Sequence, residues 1–261
     1  MTDQDDIIAT AHALADTARR VTLSYFRRAD LTADNKSASA FDPVTVADRE
    51  AERQMREILS ARRPNDAVLG EEWGNSAGTS GMTWVLDPVD GTRAFLCGAP
   101  TWGVLIAVSN ENGPQYGIID QPYTGERFEG GFGLSRMSQA DRTTPLKTRA
   151  PRPLEQALLM STFPEIGTAD ELRAFRAVAN RVRLVRYGMD CYAYALLAAG
   201  QIDLVIEAGL QPYDVQAPIA VIRAAGGVVT DWQGNDAAQG GQILAAANPE
   251  VHAAAMALLN S

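Results

Sequence analysis

What most restricts the fold of this chain is the order of its β-rich runs. The runs WVLD (84–87), WGVLIAVS (102–109), YGIID (116–120) and ERFEGG (126–131) come first, the last three at hairpin spacing. ALLMST (157–162), RLVRY (183–187), IDLVIE (202–207), GGVVTDW (226–232) and QILAAA (242–247) follow, and helical stretches separate most of them. Hairpin-linked strands followed by alternating strands and helices predict mixed sheets covered by helices on both faces. The fold class is therefore α/β of mixed α+β character, a layered sandwich.

Residues 2–28 place Ile7, Ala11, Leu14, Ala15, Ala18, Val21 and Tyr25 at helical spacing, with Thr2 and Asp5 as a capping box. A second helix is expected over about 45–62 and a third over 168–180, where Thr168 and Glu171 repeat the capping pattern. DCYAYALLAAG (190–200) and DVQAPIAVIRAAGG (214–227) read as buried helices that stop at glycine, and Asn248-Pro249 opens a closing one. The best seam is TTPLKTRAPRP (143–153), rich in Pro, Thr and basic residues. The expected organisation is one catalytic unit, 1–261, with halves 1–147 and 148–261.

A chain of 261 residues with 46% apolar side chains can bury a core without staples. Cys97 and Cys191 are far apart and lack a CxxC partner, which disfavours a disulfide framework or zinc ribbon and leaves both as expected buried fillers. No apolar run approaches the roughly 18 residues of a membrane span. The acidic Met1-Thr2-Asp3-Gln4-Asp5-Asp6 start is unlike a targeting peptide, so a cytoplasmic protein is expected. A formal charge of −9 argues against a nucleic-acid partner, whose phosphates call for a basic face.

Chemistry is reached by elimination. The two histidines, His12 and His252, fall in helices at opposite ends, which disfavours Ser-His-Asp, phosphohistidine and His-rich zinc sites. Neither a G-x-x-x-x-G-K-[ST] loop nor a dinucleotide G-x-G-x-x-G occurs. What remains is oxygen chemistry. GEEWG carries Glu71 and Glu72, and WVLDPVDGT carries Asp87 and Asp90, with Pro88 stiffening the strand exit and Gly91 permitting close backbone approach. Carboxylates brought this close either protonate or enclose a cation, and Mg²⁺ suits a cluster of hard oxygens. The amides of Gly91 and Thr92 can then cradle a phosphate oxygen.

Each acid also has a plainer reading. Asp87 and Asp90 are common turn formers, Asp48 fits the N3 place of a capping box with Thr45, and Asp214 can cap the helix after it. Glu71 and Glu72 can be solvated at a strand end.

Taken together, the pieces resemble the inositol monophosphatase superfamily in kind, order and spacing. DPVTVADREAE (42–52), GEE (70–72), WVLDPVDGTRAF (84–95) and YDVQAPIAVIRAAGG (213–227) are similar to its four motifs. GTRAFLCGAPTWGVLIAV, YGIIDQPYTGERFEGG and YGMDCYAYALLAAGQIDLVIEAGLQPYD look most like its histidinol-phosphatase branch. The resemblance implies an αβαβα sandwich, a homodimer, and a Mg²⁺-dependent phosphomonoesterase acting on histidinol phosphate. An inositol-type or other small sugar phosphatase is the runner-up, and a non-catalytic metal- and phosphate-binding protein is the reading from another class.

By position, the resemblance implies that Glu71, Asp87 and the Val89 carbonyl hold one Mg²⁺ while Asp87, Asp90 and Asp214 hold a second, with room for a third ion near Glu71. Thr92 and Asp48 would orient and deprotonate the attacking water, Glu71 would stand with them as a catalytic residue, and Lys36 would lie over the metals. Arg186, Gly188, Asp190 and Glu207 join Asp90, Gly91, Thr92 and Asp214 around the substrate. Asp190 beside Glu207 suits a cationic amino alcohol, and it also reads as the N-cap of the helix that follows. Tyr213 replaces the Trp usual in the superfamily, Met189 replaces a smaller residue, and Pro218 is expected in the first turns of its helix.

Overall fold

The computed structural model describes residues 2–35 and 43–261. Lys36 and Asp42 lie outside the described residues. Helix α1 (Asp3–Tyr25) precedes a short hairpin, β1 (Ala33–Asn35) and β2 (Pro43–Thr45), which leads into α2 (Val46–Arg62). Then come β3 (Ala67–Gly70), β4 (Gly74–Ser76), β5 (Thr83–Asp90), α3 (Thr92–Cys97) and β6 (Gly103–Asn110). β7 (Gly113–Gln121), β8 (Glu126–Gly131), β9 (Leu134–Gln139) and β10 (Arg142–Pro145) complete the larger sheet. The rest is β11 (Leu158–Ser161), α4 (Ala169–Ala179), β12 (Leu184–Tyr187), α5 (Tyr192–Ala198), β13 (Leu204–Leu210), α6 (Pro212–Ala224), β14 (Val228–Thr230), β15 (Gly241–Ala246) and α7 (Pro249–Leu259).

An eight-stranded sheet runs β10-β9-β8-β7-β6-β5-β3-β4, antiparallel except where β3 and β5 pair in parallel. A five-stranded sheet runs β12-β11-β13-β15-β14, with β12, β11 and β13 parallel. Strand alternation assigns the layers. Trp84 and Leu86 of β5 and Val104, Ile106 and Val108 of β6 pack with Ile7, Leu14 and Met55 of α1 and α2. Val85, Leu105 and Ala107 point the other way, into a core shared with α5, α6 and Val205, Ile243 and Ala245 of the second sheet. Leu204, Ile206 and Leu244 face Phe175, Val178, Val251 and Ala255 of α4 and α7. The order is helix, sheet, helix, sheet, helix, the αβαβα sandwich expected.

Several local expectations change. The first helix ends at Tyr25, where Phe26 leaves the helical backbone (ψ 130°); Arg27 then takes φ 61°, and its guanidinium donates to the Gly98 carbonyl at 2.9 and 3.0 Å. Residues 143–145 of the seam pair with β9 as an edge strand. Pro218 lies deeper than expected, since α6 already starts at Pro212. Cys97 is exposed at the end of α3, and only Cys191 is a buried filler. His12 joins Arg127 and Glu129 in a salt-bridge network over the larger sheet, and His252 hydrogen-bonds Thr230, so neither histidine serves a catalytic cluster.

Candidate active site

Two β-bulges build the site. On β5, Asp87 pairs with Leu105 and Asp90 with Gly103, so three steps of β5 match two of β6. In a regular strand residues three apart face opposite sides, and the extra residue brings both carboxylates to one side. That side is the middle layer, where Asp90 Oδ2 accepts from the Cys191 amide at 2.7 Å, at the entrance to α5. On β13 a second bulge separates Glu207 from Leu210 in its pairing with Ile243 and Gly241. Gly209 takes φ 82° there, and Glu207 is aimed into the same layer.

Two further acids are held by the first turns of helices. Thr45 caps α2, and its amide donates to Asp48 Oδ2 at 3.1 Å. The other oxygen, Oδ1, is left to meet Thr92 Oγ1 at 3.4 Å. On α6, Asp214 Oδ2 likewise accepts from the Gln211 amide, at 2.7 Å. The capping reading and the site reading of these residues are therefore compatible; for Asp48 the cap takes one oxygen and leaves the other to Thr92. Thr92 also donates toward the Val89 carbonyl at 3.1 Å, and Val89 packs with Ala47 and Phe95 in a small core behind the loop.

Asp87, Asp90 and Asp214 each offer a carboxylate oxygen within 4.8 Å of the other two. Burial, reinforced by Glu71, Asp90 and Asp214, pushes the Asp87 carboxyl well above the ordinary range. Burial together with Asp214 and Asp190 does the same to Asp90. Asp48 is pushed up to about 6, mainly by burial and also by Glu71 against the Thr45 hydrogen bonds. Crowding of this kind is relieved by a bound divalent cation. The donors fit one: they are carboxylate oxygens, and the neighbouring Cys191 thiol is pushed up by burial and stays protonated, hence a poor ligand.

A cleft of about 450 Å³ opens over this cluster, lined by Glu71, Asp90, Gly91, Thr92, Asp190, Glu207 and Asp214 together with Thr162, Tyr194 and Tyr213. Gly91 has φ 86°, and a Cβ there would lie 2.7 Å from the Asp190 carboxyl carbon, so glycine is required on both counts. Asp190 does not cap α5, whose N-cap is Cys191. It stands at φ 47° and accepts from Thr101 Oγ1 at 2.6 Å. Glu207 accepts from the Thr162 amide at 2.6 Å and the Thr162 hydroxyl at 2.9 Å, yet burial still pushes it up to about 7.

Arg186 is brought elsewhere: it pairs with Met160 on the edge strand β12, is exposed, and is not among the residues lining the cleft. Gly188 is also outside the lining, at a φ 78° turn that redirects the chain into Asp190. Glu72 is half-buried beside the cluster, and its amide donates to Glu52 at 2.7 Å. Sequence reasoning missed Arg93 and Phe163, which flank the cleft from α3 and from the segment after β11, with the guanidinium carbon 5.0 Å from the ring centroid. A cation next to Thr92 was visible in the sequence; its aromatic partner, about 70 residues away, carried no local signal.

The model of the inositol monophosphatase family matches residues 3–261. The chain is 41% identical over 236 residues to the chloroplastic bifunctional phosphatase IMPL2 of Arabidopsis thaliana, covering 89% of this chain and 66% of that protein. It is 33% identical to a histidinol-phosphatase of Chlorobaculum parvum, covering 90% of this chain and 89% of that one. Among solved structures, an inositol monophosphatase from Zymomonas mobilis superposes with a TM-score of 0.86 at 35% identity, over 100% of both chains.

Proposed function

The chain belongs to the inositol monophosphatase family, and on that premise we propose that it is a Mg²⁺-dependent phosphomonoesterase converting L-histidinol phosphate to L-histidinol and phosphate, as a cytoplasmic homodimer. The observation that carries the substrate is the second pair of acids, Asp190 and Glu207, lining the cleft in addition to the Asp87, Asp90 and Asp214 cluster. A polyol needs neutral hydrogen bonds, whereas an ammonium group rewards buried carboxylates with charge-assisted ones. The likeness to a histidinol-phosphatase supports the same choice. The likeness to an inositol monophosphatase favours a small polyol phosphate as the second reading.

Asp87, Asp90 and Asp214 would hold one Mg²⁺, and Glu71, Asp87 and the Val89 carbonyl another. Bound there, the ions supply neutralisation of phosphate charge and a more acidic water. The chain's own residues do the rest. Thr92 has one hydroxyl proton and two acceptors, Asp48 Oδ1 and the Val89 carbonyl, so its lone pairs stay turned toward an incoming water. Asp48, pushed up to about 6, has the basicity to receive a proton through that hydroxyl near neutral pH. This water-orienting pair favours catalysis over mere binding. Glu207, fixed by Thr162, and Asp190, fixed by Thr101, give the alcohol part of the substrate rigid partners.

Expression of the chain in a bacterium lacking its histidinol-phosphatase tests the reading. Growth without histidine is the expected result; no growth, with soluble protein present, would overturn the substrate assignment.

A further inference from the structure

Helix α5 carries a tyrosine whose hydroxyl has no hydrogen-bond partner among the described residues. Tyr194 is only 4% exposed and lines the cleft. Two other phenols of the molecule are satisfied: Tyr192 donates to Glu126 at 2.7 Å and Tyr116 to Glu129 at 2.6 Å. A buried hydroxyl without a partner is costly, and phenylalanine would fill the same space without that cost. The hydroxyl is thus explained by a partner that arrives with a ligand.

Its surroundings define that partner. Tyr194 lines the cleft together with Glu207 and Asp190, the two acids outside the Asp87, Asp90 and Asp214 cluster. A phenol oxygen carries lone pairs that accept a hydrogen bond, and the carboxylates beside it accept as well. A cationic donor is attracted by the phenol lone pairs and by these carboxylates at once.

We propose that the Tyr194 hydroxyl is a substrate contact that accepts a hydrogen bond from the ammonium group of the amino-alcohol part, an assignment that rests on the substrate reading above. Tyr194 then reads the amine together with Asp190 and Glu207, and distinguishes an amino alcohol phosphate from its deaminated counterpart.

The test compares wild type with Tyr194→Phe on L-histidinol phosphate and on 3-(imidazol-4-yl)propyl phosphate, which keeps ring and ester but lacks the amine, with thermal melts of both proteins. The expected result is a loss of about tenfold or more in kcat/KM on histidinol phosphate. The loss on the deaminated ester should be several-fold smaller, and the variant should melt no lower than wild type. Equal losses on both esters, or none on either, would overturn the contact while leaving the substrate reading intact. Wild type inactive on histidinol phosphate would overturn both.

Discussion

Glu207→Gln in the metal-free protein probes the electrostatics of the cleft without touching the acidic cluster. Burial raises this carboxyl from 4.5 to about 7, in spite of the Thr162 and Ser161 hydrogen bonds that favour its ionised form. At about 1.4 kcal/mol per pH unit, ionising it in the folded protein costs roughly 3 kcal/mol. Because the folded value lies above the unfolded one, its stability contribution is complete below about pH 4.5 and is lost as pH rises through about 7. Glutamine keeps an oxygen for the Thr162 amide and removes the ionisation. The variant should match wild type near pH 5 and exceed it at pH 8 by roughly 3 kcal/mol, or about 6–10 °C in Tm for a chain of this size. Thermal melts in EDTA at pH 5, 6, 7 and 8 read the difference, and Asp48, Asp87 and Asp90 cancel because they titrate in both proteins. Parallel curves for the two proteins across that range would refute the reasoning.

Asp87→Asn should abolish turnover and weaken Mg²⁺ binding while the metal-free Tm holds or rises, because one of three crowded carboxylates loses its charge; calorimetric titration with Mg²⁺ and a melt check both parts. Since Asp87 and Asp90 are pushed up, a cation must displace protons to bind. Added Mg²⁺ should therefore raise Tm more at pH 8 than at pH 6, and an equal rise at both would contradict the cluster's role. Asp190→Asn should lower kcat/KM for histidinol phosphate more than for a neutral sugar phosphate, by roughly 1.5–3 kcal/mol for one charge-assisted contact.

Much of this was legible in the residues. The capping boxes at Thr2, Thr45 and Thr168 are where Thr-x-x-Asp/Glu indicates, and each β-rich run quoted contains a strand. Weakly patterned strands were not legible: Gly74–Ser76 and Arg142–Pro145 are exposed along their length, and they pair because a neighbour presents an edge. At the site, the acids could be named but not their orientation. DPVDG reads as a turn, and only the pairing with β6 reveals a bulge that turns Asp87 and Asp90 the same way. For Asp48 and Asp214 the sequence posed cap against site residue as alternatives, whereas the geometry serves both: Asp48 gives one oxygen to each use, and Asp214 caps α6 while offering a carboxylate oxygen to the cluster. Arg186 lies outside the cleft lining, which was not legible because sequence spacing carries no information on which way a side chain of the edge strand β12 faces.

Phosphate release from histidinol phosphate, inositol 1-phosphate, fructose 1,6-bisphosphate and 3'-phosphoadenosine 5'-phosphate, each with Mg²⁺ and with EDTA, tests the central claim most directly. The account predicts strong preference for histidinol phosphate and complete loss with EDTA; release undiminished by EDTA, or no release from any ester, would contradict it.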